Sequence, residues 1–117
     1  MKKKKRSSSK IVKKRGVKRT KIITLSRKNI RITLDLGNGF WLHRFQPVSL
    51  EPYSYVYINL IPSGNRRVIS AGWLIDQIEP VSVLSNYPPA TDRWFLHIYN
   101  PTNAYRRVLT WLITKSP

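Results

Sequence analysis

Two histidines, five carboxylates and 22 Lys and Arg side chains are the groups with which this 117-residue chain could do chemistry. Metal centres draw on clustered His, Cys or carboxylate ligands. Here His43 and His97 fall in separate predicted strands with no Asp or Glu at ligand spacing, and there is no cysteine to supply a thiolate ligand, a nucleophile or a disulfide. Each histidine therefore reads as a strand residue that hydrogen-bonds its neighbours. Acid–base hydrolysis needs two carboxylates across a cleft. Asp35 and Asp92 lie beside turns and Glu51 in a proline-flanked connector, all outnumbered by Arg, so ion pairing is their expected use. Asp76 and Glu79, three apart, could share one face of a helical turn, as a solvated turn or as a dock for a neighbour's basic arm. Neither a nucleophile elbow nor a phosphate-binding or dinucleotide-binding glycine loop occurs. The expectation is a protein with no catalytic residues, no metal and no cofactor.

The cations are distributed unevenly, and that is the strongest chemical signal. Twelve of them, Lys2, Lys3, Lys4, Lys5, Arg6, Lys10, Lys13, Lys14, Arg15, Lys18, Arg19 and Lys21, fall in residues 1–21, which hold no acid. The other ten and all five acids follow, so the formal charge of +17 divides into +12 and +5. A flexible segment of this kind releases condensed counterions when it lies along a polyphosphate, with a log–log salt slope of up to about 0.7–0.9 per phosphate contacted. Lys outnumbers Arg in it, which favours point-charge attraction over bidentate reading of bases. These twelve residues are the candidate nucleic-acid or polyanion site, with little sequence specificity expected. A solubilising or localisation tail is the plainer alternative, and Lys2–Arg6 also fits a nuclear localisation pattern.

Aromatic residues supply the second signal. Tyr53, Tyr55 and Tyr57 share a face at strand spacing, either as a base-stacking platform or as a half-buried sheet face or subunit interface. The alternating residues, Ser54, Val56 and Ile58, include none of the cations a stacking platform usually interleaves, which favours the interface. Trp41, Trp73, Trp94 and Trp111 exceed what an ordinary core of 96 residues needs, so part of this surface is expected to meet other subunits. Ile22, Ile23 and Leu25, directly after the arm, suit strand exchange between neighbours. The candidate interface set is thus Ile22, Ile23, Leu25, Tyr53, Tyr55, Tyr57, Trp94 and Trp111.

Elements of period two must position these groups. Residues 1–21 carry too little apolar surface to offset the ordering entropy and read as a flexible basic arm, able to reach roughly 70 Å when extended. Residues 22–117 read as one domain. Ile30, Ile32, Leu34 and Leu36 alternate with polar residues as a strand with one buried face requires, and Gly37-Asn38-Gly39 turns it into Phe40–Phe45, a hairpin over 30–45. Tyr53–Ile61 is the next strand, closed by Pro62-Ser63-Gly64-Asn65. Arg66–Leu74 follows, with a bulge or bend expected at Ala71-Gly72, and Trp73–Ile78 has enough helical spacing for a single turn ending before Pro80. Val81–Leu84 is a short strand, and Asn86–Ala90 a loop whose two prolines oppose ladder pairing. Arg93–Tyr99 and Tyr105–Thr114, joined through Asn100-Pro101-Thr102-Asn103, read as a second hairpin apolar on both faces. Seven or eight short strands and no long helix indicate an all-β fold, a small antiparallel β-sandwich of immunoglobulin-like or compact jelly-roll type, with a small barrel as the alternative.

Apolar runs such as Trp73-Leu74-Ile75 fall far short of a membrane span, and no apolar stretch of signal-peptide length follows Lys2–Arg6. Synthesis inside the cell with assembly into a particle or surface layer is the expectation. A basic arm ahead of a β-sandwich resembles small viral coat proteins in architecture, and sandwich subunits also build bacterial surface and spore appendages. The reading is a non-enzymatic, self-assembling homo-oligomeric coat, capsid or filament subunit whose arm binds nucleic acid or another polyanion. The alternatives are a monomeric RNA- or DNA-binding accessory protein, such as a ribosome-associated one, and a cell- or spore-surface appendage subunit.

Overall fold

A computed structural model describes residues 20–75 and 81–117. Nine strands form two sheets: β1 (Thr20–Leu25), β2 (Ile30–Gly37), β3 (Phe40–Phe45), β4 (Val48–Leu50), β5 (Ser54–Leu60), β6 (Arg67–Ile75), β7 (Ser82–Ala90), β8 (Arg93–Asn100) and β9 (Arg106–Lys115). One 3-10 turn, Arg27–Asn29, links β1 to β2. Sheet I runs β1-β5-β8-β7; in sheet II, β9 is central, with β3 and β4 following one another along residues 111–115 and 106–108, β6 pairing residues 108–115, and β2 outside β3. The expected all-β sandwich is what forms. All pairs are antiparallel except β1–β5, which is parallel, and β1 takes in residues 20 and 21, the last two expected of the arm.

Alternation explains the core. Val56, Ile58 and Leu60 on β5, Leu96 and Ile98 on β8, and Val108 and Leu112 on β9 are at most 2% exposed, and Leu25, Phe45, Val48 and Leu50 join them between the sheets. Residues one position along each strand point the other way. The turn at Gly37-Asn38-Gly39 takes φ values of 91°, 55° and 84°, the left-handed geometry a tight hairpin needs, and it joins β2 to β3 as expected.

Four expectations change. The last two strands do not form a hairpin: β8 lies in sheet I and β9 in sheet II, so residues 101–105 arch from one layer to the other. The fully buried Asn100 holds that arch. Its Nδ2 donates to the carbonyls of Leu50, Glu51 and Ala104 at 2.9–3.1 Å, while its Oδ1 accepts from the Thr102 backbone N and Oγ1 at 3.1 and 2.7 Å. Second, a register shift between Ile30 and Ile32 reverses β2, so that Ile30 faces the core but Ile32, Leu34 and Leu36 are 38%, 51% and 49% exposed. Third, Pro88 and Pro89 lie within β7 and not in a loop. β7 is an edge strand, and the prolines occupy a pairing irregularity between Tyr87 and Ala90 where no ladder donor is required. Fourth, the irregularity in β6 falls between Val68 and Ser70, whereas Ala71 and Gly72 pair regularly with Leu112 and Trp111. Trp73, Leu74 and Ile75 are strand residues, and the remainder of the expected helical turn lies outside the described residues. No helix among the described residues is long and apolar enough to cross a membrane.

Candidate interaction surfaces

Lys2, Lys3, Lys4, Lys5, Arg6, Lys10, Lys13, Lys14, Arg15, Lys18 and Arg19 lie outside the described residues. Lys21, the last of the twelve basic candidates, sits in β1 and pairs with Glu51 at 3.0 Å across exposed surface, a contact worth little in water. Beside it Thr20, Lys21, Glu51, Ser54, Tyr55 and Val56 line a shallow depression of about 190 Å³. The other described acids are engaged too: Asp35 Oδ1 accepts from the Gly37 backbone N at 2.8 Å, and Asp92 pairs with Arg93 at 3.3 Å. Asp76 and Glu79 lie outside the described residues.

The outer face of sheet I carries a ladder of rings. Cross-strand register sets Tyr55 opposite Tyr99 and Tyr57 opposite His97, and those pairs stack with centroids 4.5 and 3.9 Å apart. Tyr57 also stacks on Phe95 at 5.1 Å, and Tyr87 of β7 meets the edge of Phe95 at 5.7 Å. Tyr55, Tyr57, Phe95, His97 and Tyr99 thus each stack on at least one other ring of the ladder. Tyr53 does not continue this row; it precedes β5 with φ at 51°. That His97, Phe95 and Tyr99 join Tyr55 and Tyr57 in one ladder could not be read from the sequence, because their partners across the sheet are fixed only by strand register.

Sheet II presents a different outer face. Register aligns Leu34, Leu42, Ile113 and Ser70 in one row and Ile32, Arg44, Trp111 and Gly72 in the next, with Leu109 opposite Leu74 beyond. The Trp111 indole lies where a Gly72 side chain would be, so the glycine is what lets the ring settle on β6. Leu74 is 56% exposed. Of the interface candidates, Trp111 belongs to this face, and Tyr55, Tyr57 and the exposed Ile22 to the outer face of sheet I. Ile23, Leu25 and Trp94 pack toward the chain's own core, with Trp94 Nε1 donating to Asn86 Oδ1. The segment expected to exchange between neighbours pairs with β5 of its own chain.

His43 is 1% exposed on the inner side of β3. Its Nε2 meets Thr114 Oγ1 at 2.9 Å and its Nδ1 lies 3.5 Å from Thr33 Oγ1. Burial, reinforced by the Arg66 guanidinium, holds its pKa below the ordinary imidazole value of 6.5. Burial lowers His97 in the same direction. The two histidines lie in different sheets, and no group of three or more His, Cys, Asp or Glu suited to a metal occurs among the described residues.

No curated protein and no solved structure matches the chain. A family model does, over residues 21–114, a span that opens at the second residue of β1 and closes one residue before the end of β9. It therefore covers the two-sheet domain with both of its outer faces and leaves out residues 1–20: the chain belongs to the YjdH family.

Proposed function

We propose that this protein is a non-enzymatic structural subunit, a self-assembling β-sandwich whose basic N-terminal arm grips a polyanion, nucleic acid being the best fit, without reading its sequence. The observation that carries this reading is the state of the acids. Each described carboxylate is already bonded, while 11 cations precede β1 and the rest of the chain is itself basic. Glu51 and Asp92 already pair with cations and Asp35 holds a backbone N–H, so the three described carboxylates cannot match the 11 cations of the arm, and its natural partner is external. The phosphate backbone supplies repeating charge at the density such an arm matches. A monomeric accessory protein that stacks bases on its sheet is disfavoured because the rings of sheet I stack chiefly on one another.

Removal of residues 2–19 leaves β1 whole and tests the assignment. A labelled double-stranded oligodeoxynucleotide titrated with the full chain should lose at least about 10³-fold in affinity between 50 and 200 mM salt if six or more phosphates are contacted. The shortened chain should bind weakly, with a shallow slope and an unchanged far-ultraviolet circular dichroism spectrum. Equal binding by both forms would refute the role of the arm.

A further inference from the structure

We infer that the outer face of sheet II is where a second copy of this chain packs, sheet on sheet, in a four-layer dimer whose far layers are the two copies of sheet I. This names the partner surface of the assembling subunit proposed above and rests on that reading.

The face is apolar across three consecutive rows. Seven of its positions, Ile32, Leu34, Leu42, Leu109, Trp111, Ile113 and Leu74, are large hydrophobes; Arg44 is the ionised residue within these rows, with a stem that can lie on the patch, while Lys115 and Arg67 at one end and Arg107 at the other bound them. The register shift at the start of β2 is what turns Ile32 and Leu34 outward. A strand patterned for burial on one side has thus been rotated so that its apolar side needs a body outside the chain.

The composition of the remaining chain decides which body. Residues 1–19 contain 11 cations and only Met1, Ile11, Val12 and Val17 as larger apolar side chains, too few to cover three rows. Residues 76–80 are five, two of them acidic. A second copy offers the same apolar rows to itself, as a twofold interface requires. Four strands about 4.8 Å apart and eight residues long span roughly 500 Å² in plan on each copy, about 1,000 Å² in total, which reaches the lower bound of a specific interface. Sheets so packed settle about 10 Å apart, as in any sandwich. β1, where the described chain begins, belongs to sheet I and so lies in the layer away from this face.

The test uses the full chain in sedimentation velocity from about 1 to 100 µM, a range that brackets micromolar association. Wild type should pass from monomer to dimer. Leu34→Glu and Leu74→Glu, at half-exposed positions where a charge is tolerated by the fold, should raise the dissociation constant at least ~100-fold, and Ile22→Glu on sheet I should leave it unchanged. As the chain has no cysteine, Ser70→Cys carrying an environment-sensitive dye gives a second readout, a blue shift that grows with concentration. A wild type that stays monomeric, or glutamate variants that dimerise normally, would overturn the inference. Salt-sensitive oligonucleotide binding by a strict monomer sinks the dimer face while sparing the arm. Dimerisation without such binding does the reverse.

Discussion

His43 sits between two threonine hydroxyls with Arg66 near it, an environment that accepts a neutral imidazole and resists a proton. Its folded-state pKa lies below the unfolded value, so between the two the unfolded chain binds more protons and stability rises with pH. The stability His43 contributes as a neutral group is therefore complete above about pH 6.5 and is lost as the pH falls from there toward the folded-state value. Chemical denaturation at a series of pH values should show a plateau above neutrality and a decline below it. His43→Gln, which keeps polar contacts but cannot titrate, should flatten that decline while lowering stability at every pH. His97 adds a contribution of the same sign, so a residual slope belongs to it. An identical slope in the variant would show that His43 takes no part.

Elements show where local pattern suffices and where it fails. The hairpin of β2 and β3 was legible because Gly37-Asn38-Gly39 and strict alternation are local signals. The direction in which β2 faces was not, because the register shift after Ile30 inverts Ile32 and Leu34 and nothing in the alternation records it. The link from β8 to β9 reads locally as a turn between two apolar strands. What makes it an arch is the burial of Asn100 against carbonyls fifty residues away, a non-local fact. The Tyr55 and Tyr57 half of the aromatic ladder was visible from spacing, while its other half on β8 awaited the register. Gly72 was expected to mark a bend and instead makes room for the Trp111 ring. Gly72→Ala should therefore cost about 1–3 kcal/mol by overpacking, a fall in Tm of about 4–8 °C per kcal/mol. In a Trp111→Val background most of that cost should vanish. A cost that persists there would mean the glycine serves backbone conformation and not the ring.

The whole molecule combines an apolar face that draws copies together with a charge of +17 that drives them apart. These two terms respond to salt with opposite signs. Added salt screens the repulsion between like-charged copies, with a Debye length falling from about 10 Å at 0.1 M to about 3 Å at 1 M, and leaves hydrophobic contact intact or strengthened. The same salt weakens the arm's hold on a polyanion by removing the gain from counterion release. Self-association measured by sedimentation should therefore tighten between low and high salt while oligonucleotide affinity falls across the same range. Deleting residues 2–19 removes 11 of the 17 net charges, so the shortened chain should associate more tightly at low salt and respond less to its increase. A polyanion that neutralises the arms should mimic salt, promoting association at ionic strengths where the bare protein is monomeric. Self-association that weakens as salt is added would mean that copies are held by ion pairs, for which the outer face of sheet II offers no acidic partner to Arg44.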